Sequence, residues 1–106
     1  MTSRPLNLPE LGLLIYLLRD HAQAEQLLGQ LHAAQVADIT ASGVGSLRFV
    51  SSHPEQRLGE RVASTQFLDE DGVPVLVSLY LDQQGNLFEL DCWKVDDAPV
   101  RRIPAF

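Results

Sequence analysis

The chain contains one cysteine, Cys92, and a single thiol cannot close an internal disulfide. A disulfide-stapled secreted scaffold is thereby excluded, and a reducing compartment is the expected setting. Basic residues are also scarce, with eight Lys and Arg against fourteen Asp and Glu, for a net charge of −6. That field repels nucleic-acid phosphates and anionic membranes and favours basic partners. Histidine occurs only at His21, His32 and His53, without the four-residue helical spacing of a zinc pair, so no metal site is expected. No apolar run is long enough to span a bilayer. The nearest, Leu11 to Leu18, is opened by Pro9 and Glu10 and closed by Arg19-Asp20-His21, which also makes a poor signal peptide. Neither Walker-A nor dinucleotide-binding glycine spacing is present, and no cofactor is expected. The expected location is cytoplasmic.

What remains is an ordinary globular composition. With 106 residues, 45% of them apolar, the chain is the size of a single domain. Such a chain buries roughly two thirds of its unfolded surface without needing staples. The acid is unevenly placed: residues 69–97 hold eight carboxylates against Lys94 alone, whereas residues 1–68 hold six against five basic residues.

The N-terminal third has helical signals. Asn7 suits an N-cap, Glu10 three residues later completes a capping box, and Leu6 and Leu11 are spaced as a hydrophobic staple. Leu11 and residues Leu13 to Leu18 are apolar nearly all round, which predicts a helix packed on more than one side, with Gly12 at a close contact. Asp20, with Gln23 after it, suits a second cap, and Ala24, Leu27, Leu28, Leu31 and Ala34 form one stripe. Residues 8–34 thus read as one bent helix or two.

Beyond residue 35 the period changes to that of strands, predicted near 36–41, 46–51, 60–68, 73–81 and 86–95. Turns are expected at Gly43-Val44-Gly45, Asp71-Gly72 and Gln84-Gly85-Asn86. The predicted class is α+β: helices within about 8–34 packed on a mostly antiparallel sheet of four to six strands, with residues 60–95 as a meander.

The most distinctive stretch is Gly85-Asn86-Leu87-Phe88-Glu89-Leu90-Asp91-Cys92-Trp93-Lys94-Val95-Asp96. Strand alternation puts Glu89, Asp91 and Trp93 on one face and Phe88, Leu90 and Cys92 on the other. The first face is an acidic ridge carrying an indole, a combination suited to protein contacts because aromatics anchor and charges steer. Lys94 and Asp96 complete the candidate interaction set. The competing reading is architectural, with Glu89 and Asp91 paired across strands to Arg48, Arg61, Arg101 or Arg102. On this stretch, together with Gly43-Val44-Gly45-Ser46-Leu47-Arg48-Phe49 and Asp69-Glu70-Asp71-Gly72-Val73-Pro74-Val75, the chain resembles an uncharacterised family of small bacterial proteins with a G-x-L-F-E-L-D-x-W-K-x-D signature. Some members are associated with toxin and immunity gene neighbourhoods, and the resemblance implies domain boundaries more than any chemistry.

Other constellations are weaker. Gly43, Gly45 and Ser46, with Arg48 and His53, could cradle an anion through backbone N–H groups, although two glycines between strands usually punctuate a turn. Asp69-Glu70-Asp71-Gly72 offers oxygen ligands, but its glycine falls too early for a calcium loop, which leaves a solvated hairpin. Cys92 is expected on the apolar face as a buried, unreactive thiol, and Ser51 or Ser52 beside His53 lacks any nucleophile signature, so no catalytic residue is predicted. The functional expectation is a non-enzymatic interaction protein of immunity or antitoxin type with a basic protein partner and no role for nucleic acid or membrane. The alternatives are a small enzyme or ligand-binding domain with a pocket between helix and sheet, and a homodimer formed through a free sheet edge.

Overall fold

The computed structural model describes residues 3–40, 44–51 and 55–106. Along the chain run β1 (Arg4–Pro5), α1 (Leu8–Leu18), α2 (Ala24–Leu31), β2 (Gln35–Asp38), β3 (Leu47–Phe49), β4 (Leu58–Leu68), β5 (Pro74–Asp82) and β6 (Leu87–Lys94). The expected α+β class holds. The strands form one antiparallel sheet in the order β1-β2-β3-β6-β5-β4. β4, β5 and β6 are the predicted meander, and β3 adds to the far side of β6.

Helix α1 begins where its capping residues dictate. The Asn7 side chain accepts from the Glu10 amide, and Glu10 Oε1 accepts from the Asn7 amide, each at 3.0 Å. Glu10 is buried because Arg4 reaches both its carboxylate oxygens, at 2.8 and 2.7 Å, and also grips Asp38 on β2. This fork ties β1, α1 and β2 together and raises the Arg4 pKa, chiefly through its bonds to Glu10 and then Asp38. β1 itself was not predicted: two residues holding a proline carry no strand periodicity, and it exists because Arg4 and Pro5 pair with Val36 and Gln35.

The helical third is two helices. Asp20 does not cap the second. Helix α2 starts at Ala24 after a turn in which His21 Nδ1 accepts from the Gln23 amide at 3.0 Å, so the turn's own bonding places the start. Leu13, Leu14, Leu17, Leu18, Leu27 and Leu31 pack against Val36, Leu47, Val75, Val77, Leu79, Leu87 and Leu90 on one face of the sheet. At roughly 1.5–3 kcal/mol for each fully buried large aliphatic, this layer is the main source of stability. On the other side of α1, Tyr16 meets Phe106 with ring centroids 5.1 Å apart, whereas Leu8 and Ile15 stay exposed, so the helix is covered on two sides and not all round. The backbone of Phe106 also passes Gly12, where an added Cβ would lie 3.9 Å from its carbonyl oxygen.

Two turns follow their glycines. Gly72 (φ 81°) and Gly85 (φ 83°) take left-handed conformations and close hairpins by donating to the carbonyls of Asp69 and Asp82. The hairpin at 69–72 is the solvated loop predicted in Glu70, Asp71 and Gly72, which are exposed, but not in Asp69. Asp69 is buried and accepts from the amides of Glu70, Arg101 and Arg102, at 2.8, 2.8 and 3.2 Å. The Lys94 ammonium lies 3.0 Å from Asp69 and 2.6 Å from Asp71. The hairpin therefore clasps the end of β6 and pins the C-terminal segment, whose Val100 and Ile103 enter the core.

Candidate functional site

Both helices lie against the same face of the sheet, and β6 shows its other face outward. Leu90, Cys92 and Lys94 point into the molecule; Glu89, Asp91 and Trp93 point away, as alternation predicts. Phe88 departs from the prediction. One residue too many lies between the pairs Tyr80–Glu89 and Leu81–Leu87, and Phe88 is that extra residue. The bulge turns its ring out of the core cluster and under the Arg48 guanidinium, 4.7 Å from the ring centroid. Arg48, opposite Glu89 in the register, donates to its carboxylate at 2.6 Å.

Asp91 accepts from the Ser46 hydroxyl at 3.0 Å, and that hydroxyl accepts from the Cys92 amide, also at 3.0 Å. Ser46 thereby stitches the end of β3 to β6. Trp93 is 47% exposed, and its indole N–H points to Asp97 Oδ1 at 3.3 Å. Asp97 itself has φ 66°, a left-handed conformation that Asp tolerates better than most side chains. The turn it makes carries Ala98, Pro99 and Val100 back over the end of β6. Between this turn, β6 and the segment after β2 runs an open groove of about 510 Å³, whose lining includes the apolar Ile39, Val44 and Val100 and the charged Glu89, Asp91, Lys94 and Asp97.

Lys94 leaves the predicted interaction set. It lies on the inner face with its side chain 1% exposed, held by Asp69 and Asp71. Its pKa is raised, mainly by the hydrogen bond to Asp71, while the same bond lowers that of Asp71. Asp96 is exposed in the turn, where its carboxylate accepts from the Ala98 amide at 3.0 Å. Of the residues considered for an anion, Gly43 and His53 lie outside the described residues, as does Ser52. Gly45 is buried against Cys92 and Val100, Ser46 is buried and bonded to Asp91, and Arg48 is paired with Glu89, so the described members form no cradle.

Cys92 is buried, and its pKa is pushed up to about 12 by burial first and then by the negative charges of Asp91 and Glu10. Among the described residues no three His, Cys, Asp or Glu side chains gather as metal ligands. Between α2 and the sheet a pocket of about 300 Å³ is lined by Gln30, Gln35, Phe49, Gln56, Asn86 and Leu87, at the lower end of the roughly 300–1,000 Å³ of ordinary ligand pockets, and a smaller cleft of about 160 Å³ lies between the start of α1 and the C-terminal segment, lined by Asn7, Glu10, Arg101, Arg102 and Ile103. Among the described residues no helix is long and apolar enough to cross a membrane.

Asp97, Ile39, Val44 and Val100 were not singled out from the sequence. The run Asp96-Asp97-Ala98-Pro99 does mark a chain reversal, but nothing local says that it folds back beside Trp93.

Helices on one side and an outward acid-aromatic strand on the other define an α+β domain with one covered and one open face to its sheet. The chain belongs to the family described as Domain of unknown function (DUF6984), whose model matches residues 3–104. That span agrees with the resemblance to an uncharacterised family. No match was found among curated proteins or solved structures.

Proposed function

We propose that this domain is a protein-binding module that takes a basic segment of its partner against the outer face of β6, with Trp93 as anchor. The observation that carries the reading is the half-exposed indole bordering a groove lined by Glu89, Asp91 and Asp97. Indoles and tyrosines dominate binding energy at interfaces, and carboxylates around them attract a cationic side chain and fix its approach. Arg48 offsets Glu89 and Lys94 is spent on Asp69 and Asp71, so the uncompensated charge of the groove comes from Asp91 and Asp97. An arginine or lysine of the partner would lie over the indole face with its charge toward those two carboxylates.

The domain is read as a cytoplasmic protein of immunity or antitoxin type, which neutralises a basic partner by covering it. The resemblance to an uncharacterised family, some of whose members are associated with toxin and immunity neighbourhoods, supports this part. The test uses the full chain as bait in extract of its own organism, followed by purification of the retained protein and measurement of association rates. A basic partner should associate with the unmodified chain at a rate that falls with salt, and at least about ten-fold more slowly with Glu89→Lys/Asp91→Lys, which should remain folded. Equal rates for the two proteins would overturn the reading.

A further inference from the structure

The two edges of the sheet are treated differently. One edge is β1, two residues long, where Pro5 has no N–H to offer. The other is β4, eleven residues without a proline, paired among the described residues with β5 on one side only. An unpaired strand of that length presents a row of backbone donors and acceptors, which proteins ordinarily blunt with charges or bulges. Here both devices sit in the first half. Glu60 and Arg61 supply the charges, and the register against β5 shifts between Leu58 and Arg61 and again between Arg61 and Ala63. Packing explains part of it: a Cβ on Gly59 would run into the Asp82 carbonyl oxygen, so the strand is pressed against the end of β5 at that point.

From Ala63 to Leu68 the strand keeps unbroken register with β5. Its outward side chains are Ser64, Gln66 and Leu68, all exposed and uncharged, with Leu68 66% exposed. We infer that residues 63–68 form a docking edge for a second copy of this chain, paired antiparallel about a twofold axis into one continuous sheet. The chemistry fits a copy of itself. A twofold within this half sets outward residues opposite outward residues, so Ser64, Gln66 and Leu68 of one copy meet those of the other with no like charges opposed. The net charge of −6 opposes association only weakly there, because β4 as a whole carries one acid and one base while the acid is concentrated in residues 69–97. The edge is separate from the Trp93 groove, and neither reading depends on the other.

Sedimentation velocity of the full chain, from micromolar to millimolar concentration, should show a monomer–dimer equilibrium that shifts with mass action. Amide hydrogen exchange over the same range should slow within residues 63–68 and nowhere else on the sheet. The variant Ser64→Lys/Gln66→Lys places four added cations across the twofold and should raise the dimer dissociation constant by at least about ten-fold. A chain that stays monomeric throughout overturns the inference. So does a dimer unaffected by the two lysines, or one whose exchange protection falls outside 63–68. The exchange measurement on the unmodified chain decides the matter even where the variant folds poorly.

Discussion

Along β6, Lys94 and Glu89 stand on opposite faces of the sheet, and the two charges are held in different ways. Lys94 is enclosed: two carboxylates grip its ammonium, and one of them, Asp69, is itself closed off from water and fed by three backbone amides. Glu89 is held by one arginine that is half exposed and free to keep its stacking on Phe88 without it. On the inner side, polar groups that lost water had to be fully re-bonded, since an unmatched buried charge costs far more than a matched one gains. On the outer side water can replace any partner, so the same residue types remain available for recognition. The largest effect that tests this contrast is Lys94→Met. It leaves the buried Asp69 without its counter-ion and Asp71 with Arg101 alone at 3.6 Å, and the melting temperature should fall on the order of 10 °C or more. Thermal unfolding by circular dichroism measures it, and a loss of only a degree or two would mean that the inner cluster is no more committed than the ridge.

The next effect is a pH dependence. Burial pushes the Asp69 pKa upward, but amide bonds from Arg101 and Glu70, the Lys94 ammonium and the Arg102 amide outweigh it and draw the value down from 3.8 to about 2. A carboxyl whose folded pKa is depressed stabilises the fold above its unfolded value and loses that contribution as pH falls through the folded one. Melting temperature should therefore decline between the ordinary value of 3.8 and about 2. In Asp69→Asn, which is less stable at neutral pH, this part of the decline should disappear. A curve of unchanged shape in the variant would assign the acid sensitivity to other carboxylates, Asp38 beside Arg4 and Asp71 beside Lys94 being the ones whose pKa values are also lowered.

These two regions also mark what the sequence could disclose. Periodicity was enough to separate helices from strands, to place β4, β5 and β6, and to turn Glu89, Asp91 and Trp93 to one side, because alternation is a local property of the chain. The capping box at Asn7 and Glu10 was legible for the same reason. Phe88 was misplaced because a bulge is a mismatch between two strands and has no mark in either one alone. The burial of Asp69 was hidden since its partners, Lys94 and the Arg101 and Arg102 amides, lie more than twenty residues away. The groove beside Trp93 was hidden likewise: Ile39 and Val44 reach it from the other side of β3, and only the strand order brings them there.

The smallest predicted effect bears most directly on whether the outer face is an interface or a piece of architecture. Glu89 and Arg48 are opposite each other on adjacent strands, with side chains 20% and 52% exposed. A pair in that position gains little, because water competes for both groups and two long side chains must be ordered to meet. A double-mutant cycle with Arg48→Met and Glu89→Gln, read by urea unfolding, should give a coupling of about 0.2–1 kcal/mol. Phe88 complicates the single Arg48 variant, since removing the guanidinium also uncovers the ring, but that loss occurs equally with and without Glu89 and cancels in the cycle. A coupling well above about 2 kcal/mol would place the pair with the buried kind. Glu89 would then be a structural acid like Asp69, the proposed recognition face would shrink to Asp91, Trp93 and Asp97, and the slower association expected of Glu89→Lys/Asp91→Lys would have to come from Asp91 alone.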